Sequence, residues 1–195
     1  MRPNPLHDVL VFLFNTQPLT LVFWLLLAGS LGFALTARAR AGADAHDGAI
    51  WLLRLLTGAM WWQQSLWKVP PQYDGLIYWM KQEVAHASTA LQSAFVADLV
   101  LPNIAIFGPL VYAIEVAIGV SLILGLFTRL GALLGVLMAA NLWLGLYSAP
   151  HEWPWTYFFL IIIMGLFLVD PPGRRLGADA WLRRRGARGP LSLLT

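Results

Sequence analysis

Long apolar stretches separated by short polar breaks run through most of the chain. Five of them are long enough to cross a bilayer as α-helices, because about 20 apolar residues span its hydrocarbon core. The predicted spans are residues 18–36, 49–69, 104–127, 128–148 and 153–169. The breaks between the last three are only a few residues long, so these helices are expected to be adjacent and antiparallel. The pattern predicts an all-α integral membrane protein built as a helical bundle.

The segment between the second and third spans, residues 74–100, has a different pattern. Its apolar side chains recur at steps of three and four with polar residues between them, which is typical of an amphipathic helix. Such a helix is too polar to cross the bilayer and suits its outer surface. We expect either a lid over the bundle or a docking surface for a partner outside the membrane. The apolar positions are Ile77, Met80, Val84, Ala87, Leu91 and Phe95.

Composition supports the membrane assignment and removes several kinds of chemistry. The 195 residues are 58% hydrophobic and 12% charged, with a mean hydropathy of +0.65, whereas a soluble domain has about 25% charged residues. The chain contains no cysteine, which excludes disulfides, thiol relays and cysteine-ligated metal clusters. Its own side chains are therefore not expected to carry redox chemistry.

Basic residues are distributed unevenly between the two sides of the predicted bundle. With five spans, nine arginines fall on one side and three basic residues on the other. Because positive residues favour the cytoplasmic side, the basic tail over residues 183–195 is predicted in the cytoplasm and the N-terminus outside. We expect a multi-pass protein of a bacterial inner membrane. Topology accounts for the net charge of +3, so nucleic acid is not an expected partner.

The first span is not expected to be a cleaved signal peptide. Its apolar run is longer than the core of such a peptide, and only Arg2 precedes it as a basic residue. Residues 1–48 are therefore predicted to form an N-terminal segment with one retained helix.

The second and third spans carry ionisable residues, which a bilayer tolerates only where they have a partner or a role. In the second span, Arg54, Trp61 and Lys68 are spaced by sevens and share one helix face. In the third, Glu115 lies on a face with small residues that permit close approach. Both faces are predicted to point into the bundle. Their other members are Thr57, Gly58 and Ser65, then Gly108, Tyr112 and Gly119, with Gln64 on the flank of the first face.

Helix rise indicates which of these residues can meet. At about 1.5 Å per residue, Trp61, Glu115 and Asn141 all lie roughly 18 to 20 Å from the cytoplasmic ends of their helices. Arg54 lies about 10 Å closer to the cytoplasm, and helix tilt leaves an Arg54–Glu115 pair open. The polar groups either satisfy one another and fix helix register, or line a pocket for a quinone-like head group.

The pocket interpretation assigns a role to each residue. Glu115 handles a proton, and Arg54 is the second catalytic candidate. The side chains expected to contact the head group are Trp61, Gln64, Lys68, Tyr112 and Asn141.

All four histidines lie outside the predicted spans. A membrane haem held by paired histidines is therefore not expected, and no metal site is predicted. His151 and Glu152, beside Trp153 and Trp155, form either a small acid-base or substrate-contact site or part of an aromatic belt with two solvated charges. We expect no covalently bound or metal cofactor, and quinone is the remaining candidate.

Several of these residues also occur in an order typical of a known family. Arg54, Gly58 and Lys68 lie in one span, and Glu115 and Gly119 lie in the next, which ends in the sequence GLFTR at residues 125–129. The sequence GRRLGADAWL follows the last span, at residues 173–182. Together these features resemble the DoxX/DoxD family over roughly residues 50–182. The resemblance implies a four-helix membrane core over residues 49–182, to which the first span is an N-terminal addition.

The resemblance implies a small membrane subunit associated with quinone-linked redox systems. DoxD-like members belong to thiosulfate:quinone oxidoreductase, in which thiosulfate is oxidised to tetrathionate on the outer side and quinone takes the electrons. Other members are partners of redox enzymes, so a non-catalytic accessory subunit of a larger respiratory or photosynthetic complex is the alternative. Either function implies further membrane or extracytoplasmic subunits as partners. Whether the chain itself catalyses a reaction stays open at this point.

Overall fold

The computed structural model describes residues 4–13, 18–186 and 194, and the secondary structure within them is entirely helical. This confirms the predicted all-α class. Short 3₁₀ or π-helical turns occur at Leu66–Lys68, Phe95–Val100 and Leu101–Asn103. The α-helices are α1 (Pro5–Leu13), α2 (Pro18–Ala41), α3 (Ala45–Ser65), α4 (Asp74–His86), α5 (Ala90–Ala94), α6 (Ile104–Leu124), α7 (Thr128–Gly145), α8 (Pro154–Val169), α9 (Gly173–Leu176) and α10 (Ala178–Arg184).

Three helical segments among the described residues are long and apolar enough to cross a membrane. They are Leu19–Arg40, the continuous run Ala90–Leu124, and Thr128–Gly145, while Pro154–Val169 is apolar but shorter. The remaining predicted span, residues 49–69, falls largely in α3, which is long enough but carries more polar residues. Three of those polar residues, Arg54, Thr57 and Ser65, are buried against other helices, so α3 depends on the bundle to shield them.

Two helix pairs form the centre of the bundle. α3 packs along α6 and α7 packs along α8, while contacts between α6 and α7 join the two pairs. α2 lies against α6 at the periphery and presents most of its leucines outward, as a helix in contact with lipid does. The fully buried apolar core includes Ile118, Leu122, Ala132, Ala139 and Met164.

Glycines let the backbones of α3 and α6 approach closely where they cross. A Cβ atom on Gly58 would lie 2.8 Å from the backbone nitrogen of Ile123, and one on Gly119 would lie 3.0 Å from the backbone nitrogen of Trp62. Real Cβ atoms essentially never show the first distance from backbone, and the second is tighter than most real contacts, so the crossing favours glycine at both positions and most strongly at Gly58. The crossing fixes how the polar faces of the two helices meet.

The segment predicted as one amphipathic helix, residues 74–100, is divided in the structure. α4 ends at His86, and a new helix begins at Ala90, where the Thr89 hydroxyl accepts a hydrogen bond from the backbone N–H of Gln92. That second helix continues through the π-helical turn into α6. Because the chain changes direction at residues 87–89, the predicted apolar stripe is not continuous, and Leu91 is 82% exposed.

The two ends of the bundle differ in what covers them. We call the end that carries α4 the α4 end, which the charge bias predicts to face outside. The opposite end carries α9 and α10 and is called the arginine end. Of the tail predicted over residues 183–195, residues 187–193 and 195 lie outside the described residues.

Candidate functional site

A cavity of about 670 Å³ opens between α4, α6, α7, α8 and the α4 end of α3. Sites for small organic ligands have about this size and combine apolar walls with a few polar groups. The walls here are mainly aliphatic and aromatic. The polar and charged side chains that line them are Gln64, Lys68, Glu83, Glu115, Asn141, Glu152, Thr156 and Tyr157.

A buried ion pair forms one side of the cavity. The Lys68 ammonium lies 2.5 Å and 2.6 Å from the two carboxylate oxygens of Glu115. The Glu115 side chain is 2% exposed and that of Lys68 is 7% exposed. The 3₁₀ turn that follows α3 places Lys68, which also lies over the Trp67 ring at 4.5 Å from its centroid. Because a buried charge without a partner is very costly, each of the paired groups holds the other in place.

Trp61 lines the same cavity and is 2% exposed. Its indole Nε1–H has no hydrogen-bond partner among the described residues. Buried indole N–H groups usually have a partner, because an unmade hydrogen bond costs free energy. Trp61 therefore carries an unmade hydrogen bond at the border of the cavity, with the Nε1 atom itself buried.

Another part of the lining carries a carboxylate with two side-chain amides beside it. Glu83 of α4 is buried and accepts hydrogen bonds from Gln92 and Asn141, and the Gln92 Nε2 also donates to Asn141 Oδ1 at 2.8 Å. Burial raises the pKa of Glu83 to about 7, although both amides and the nearby Lys68 ammonium act in the other direction. The wall therefore holds a carboxyl group that titrates near neutral pH.

A second acidic group lies at the α4 end of the cavity. The Tyr157 hydroxyl donates a hydrogen bond to Glu152 at 2.7 Å, and both residues line the cavity. His151 is exposed, has φ of +66° and does not lie on the cavity wall. The structure thus separates the two members of the predicted His151–Glu152 site and brings only Glu152 to the cavity.

The predicted head-group contacts fall into two sets. One set lines the cavity together with Glu115 and consists of Trp61, Gln64, Lys68 and Asn141. The depth comparison predicted that Trp61, Glu115 and Asn141 would meet. Tyr112 is half-buried on α6 but does not line the cavity.

Arg54 is fully buried at the arginine end, away from the cavity. Its Nη1 donates to the backbone carbonyls of Leu122 and Ile123, the latter at 3.0 Å, and its Nη2 donates to the carbonyl of Leu176 at 3.2 Å. The last carbonyls of a helix lack partners within it and attract a cation. Arg54 thereby joins the end of α6 to α9, and its pairing with Glu115, which the sequence left open, is not formed.

The two sequence motifs of the arginine end contact each other directly. The Asp179 carboxylate accepts hydrogen bonds from the backbone N–H groups of Phe127 and Thr128, at 2.7 Å and 2.9 Å, and from the Thr128 hydroxyl at 2.7 Å. The backbone N–H of Asp179 donates to the carbonyl of Gly125 at 2.8 Å. A carboxylate at a helix N-terminus satisfies free N–H groups and complements the macrodipole. The motifs therefore join the α6–α7 turn to the segment after α8.

Sequence reasoning missed Glu83, Gln92 and Tyr157 as members of the site. A signal existed for Glu83, which follows Leu76 by seven residues and Met80 by three, and these three residues form the buried face of α4. The predicted apolar stripe shares Met80 with this face but continues through Ile77 and Val84 instead of Leu76 and Glu83. Gln92 and Tyr157 carry no local signal, since their roles depend on contacts with distant residues.

The described residues contain one cluster of side chains that could bind a metal ion, formed by Asp44, His46 and Asp47. Their ligand atoms lie within 4.8 Å of one another. Arg175 already occupies this group. Its Nη1 donates to Asp47 at 2.8 Å and lies 3.2 Å from His46 Nδ1. That hydrogen bond lowers the pKa of Asp47, and a metal ion would have to displace the guanidinium.

Comparison with known proteins gives one match. The family model DoxX matches residues 49–148, which covers α3 through α7 and both sides of the ion pair. The match ends before α8 and the closing motif, so the resemblance there stays a prediction. No curated protein matches, and neither does any solved structure. The apolar helices and the family match together show that the chain is a multi-pass membrane protein of the DoxX family.

Proposed function

We propose that the chain is a quinone-binding subunit of a membrane redox complex and that the cavity holds the quinone head group. The observation that carries this proposal is a cavity of about 670 Å³ that joins the Lys68–Glu115 pair to an unpartnered indole donor on Trp61. A quinone has a flat apolar ring and two carbonyl oxygens that accept hydrogen bonds. The cavity offers matching apolar walls, and the Lys68 ammonium is a hydrogen-bond donor among the groups that line it.

Lipid access supports a membrane-dissolved ligand. Leu110 and Leu137 line the cavity and are 48% and 60% exposed. Both belong to helices that are apolar enough to cross the membrane, so their exposed surface faces lipid. A quinone with an isoprenoid tail would enter between these helices and keep its tail in the bilayer.

The reaction we propose follows the thiosulfate:quinone type. Two thiosulfate ions join to form tetrathionate and release two electrons, and a quinone takes up those electrons with two protons. The Lys68–Glu115 pair holds one proton that can pass to a quinone oxygen, and Trp61 orients the ring. The chain has no cysteine, and thiosulfate oxidation is assigned to a partner subunit on the outer side. The membrane is a bacterial plasma membrane, with the α4 end outside and the arginine end in the cytoplasm.

The test is equilibrium binding of a short-chain ubiquinone analogue to the full chain in lipid nanodiscs, measured by calorimetry. Trp61→Phe removes the donor and keeps an aromatic ring, so affinity should fall about fivefold to tenfold, the equivalent of one hydrogen bond. Trp62→Phe is the matched control, because Trp62 is also buried with an unpartnered Nε1 but packs against Phe23 away from the cavity. Its affinity should stay at the wild-type value.

Failure of the wild-type chain to bind the analogue would overturn the proposal. If the chain then still proved necessary for assembly of a redox complex, the accessory-subunit function would replace it. Equal losses in both tryptophan variants would show that the analogue does not recognise the cavity.

A further inference from the structure

Glu83 is a buried carboxylate that the quinone proposal does not yet use. It projects from α4 into the cavity, and its Oε2 lies where a Cβ on Gly145 would approach it to 2.6 Å. α4 is held against the end of α7 by the backbone hydrogen bond from Ser88 to Leu144, at 2.8 Å. The carboxylate is therefore fixed at the α4 end of the cavity.

The groups around Glu83 are mostly neutral. The amides of Gln92 and Asn141 donate hydrogen bonds to it, and α7 approaches it with the glycine at its end. The Tyr157 hydroxyl of α8 is close enough to interact electrostatically with the Glu83 carboxylate, but it donates its hydrogen bond to Glu152. Burial therefore determines the behaviour of the carboxyl and places its pKa at about 7.

Lys68 is the cation of the cavity that acts on Glu83. Its ammonium, however, lies within 2.6 Å of both oxygens of Glu115. Among the described residues, Glu83 thus has no ion pair of its own. The other titratable groups of α4 are Asp74, Tyr78 and Lys81, which are exposed, and His86, which is partly buried.

Building on the quinone site proposed above, we infer that Glu83 is a second proton donor of the cavity and exchanges protons with the aqueous phase at the α4 end. The O–H bond of its carboxyl group breaks as an O–H bond forms on the quinone oxygen nearest α4. The other proton of the two comes from the Lys68–Glu115 pair, and both electrons come from thiosulfate. Glu83 then regains a proton from the outer side, so the protons used in quinone reduction are drawn from that side.

The first measurement does not need a quinone. Infrared titration of the full chain in nanodiscs should show a protonated-carboxyl band that disappears with a midpoint of about pH 7. Glu83→Gln should remove this band, and Glu83→Asp should keep a titrating band at a shifted midpoint. Asp98→Asn is the matched control and should keep the wild-type band, because it removes an exposed carboxylate that does not line the cavity.

The second measurement follows the ubiquinone analogue. Glu83→Gln should bind it within about threefold of wild type, since the side chain keeps its size, while its reduction by dithionite should slow about a hundredfold, as expected for loss of a general acid. A neutral-range band that survives in Glu83→Gln, or an unchanged reduction rate, would overturn the role of Glu83 while quinone binding stood. Absence of binding to the wild type would overturn the quinone site itself, and the donor role with it.

Discussion

The two ends of the bundle bury charged side chains in different ways. At the arginine end, Arg54 and Asp179 direct their hydrogen bonds mainly to backbone groups, which joins α6, α7 and α9. In the cavity, Lys68, Glu115 and Glu83 bond to other side chains and border open space. Burial of a charge alone therefore does not mark a functional residue. The partner distinguishes the two cases, because backbone partners indicate a structural joint and side-chain partners beside a cavity indicate a site.

The largest expected effect is that of Arg54→Met on stability. Three backbone carbonyls would lose a charged donor, and hydrogen bonds to charged groups contribute about 1.5 to 3 kcal/mol each before relaxation. We expect a loss of about 3 to 5 kcal/mol, seen as a lower thermal unfolding temperature and poor yield of monodisperse protein.

Arg38→Met is the control for that variant, because Arg38 is exposed on α2. Its effect should stay within about 0.5 kcal/mol. The comparison between the two ends would break if Arg54→Met unfolded like wild type and lost quinone binding instead, since Arg54 would then belong to the functional site.

The ion pair of the cavity should respond differently to single and double changes. Lys68→Met leaves Glu115 buried without its cation and should destabilise the chain by about 3 kcal/mol. Combining it with Glu115→Gln removes both charges, so most of that loss should be regained, while affinity for the ubiquinone analogue should not recover. Thermal unfolding and calorimetry of the two single variants and the double variant give the complete cycle. Stability losses that simply add would show that the pair does not act as a unit.

Part of this arrangement could be predicted from local sequence. The seven-residue spacing of Arg54, Trp61 and Lys68 predicts one buried face, and all three residues are buried, although Lys68 lies in the 3₁₀ turn after α3. The common depth of Trp61, Glu115 and Asn141 depends only on helix rise, and the structure brings these three residues to one cavity.

The rest depends on contacts between distant segments. Depth alone left the partner of Glu115 open, because the choice between Lys68 and Arg54 depends on a 3₁₀ turn and on the carbonyls at the end of α6. The place of Glu83 depends on the change of direction at residues 87–89, which turns α4 onto the end of α7. Neither of these tertiary contacts leaves a periodic pattern in the sequence.

A smaller effect is expected for Asp179→Asn. This variant tests whether the arginine end contributes to stability alone or also to ligand binding in the cavity. Asparagine keeps one acceptor oxygen, but its amide would place a donor against the N–H and hydroxyl of Thr128 or against the N–H of Phe127. With the charge at the start of α7 also lost, we expect destabilisation of about 1 to 2 kcal/mol in thermal unfolding. Affinity for the ubiquinone analogue should stay at the wild-type value, because Asp179 does not line the cavity.

Asp98→Asn, at an exposed position, is the control and should change neither the stability nor the affinity. A selective loss of quinone affinity in Asp179→Asn would mean that the arginine end controls the cavity through α7, and the two regions would then have to be treated as one site.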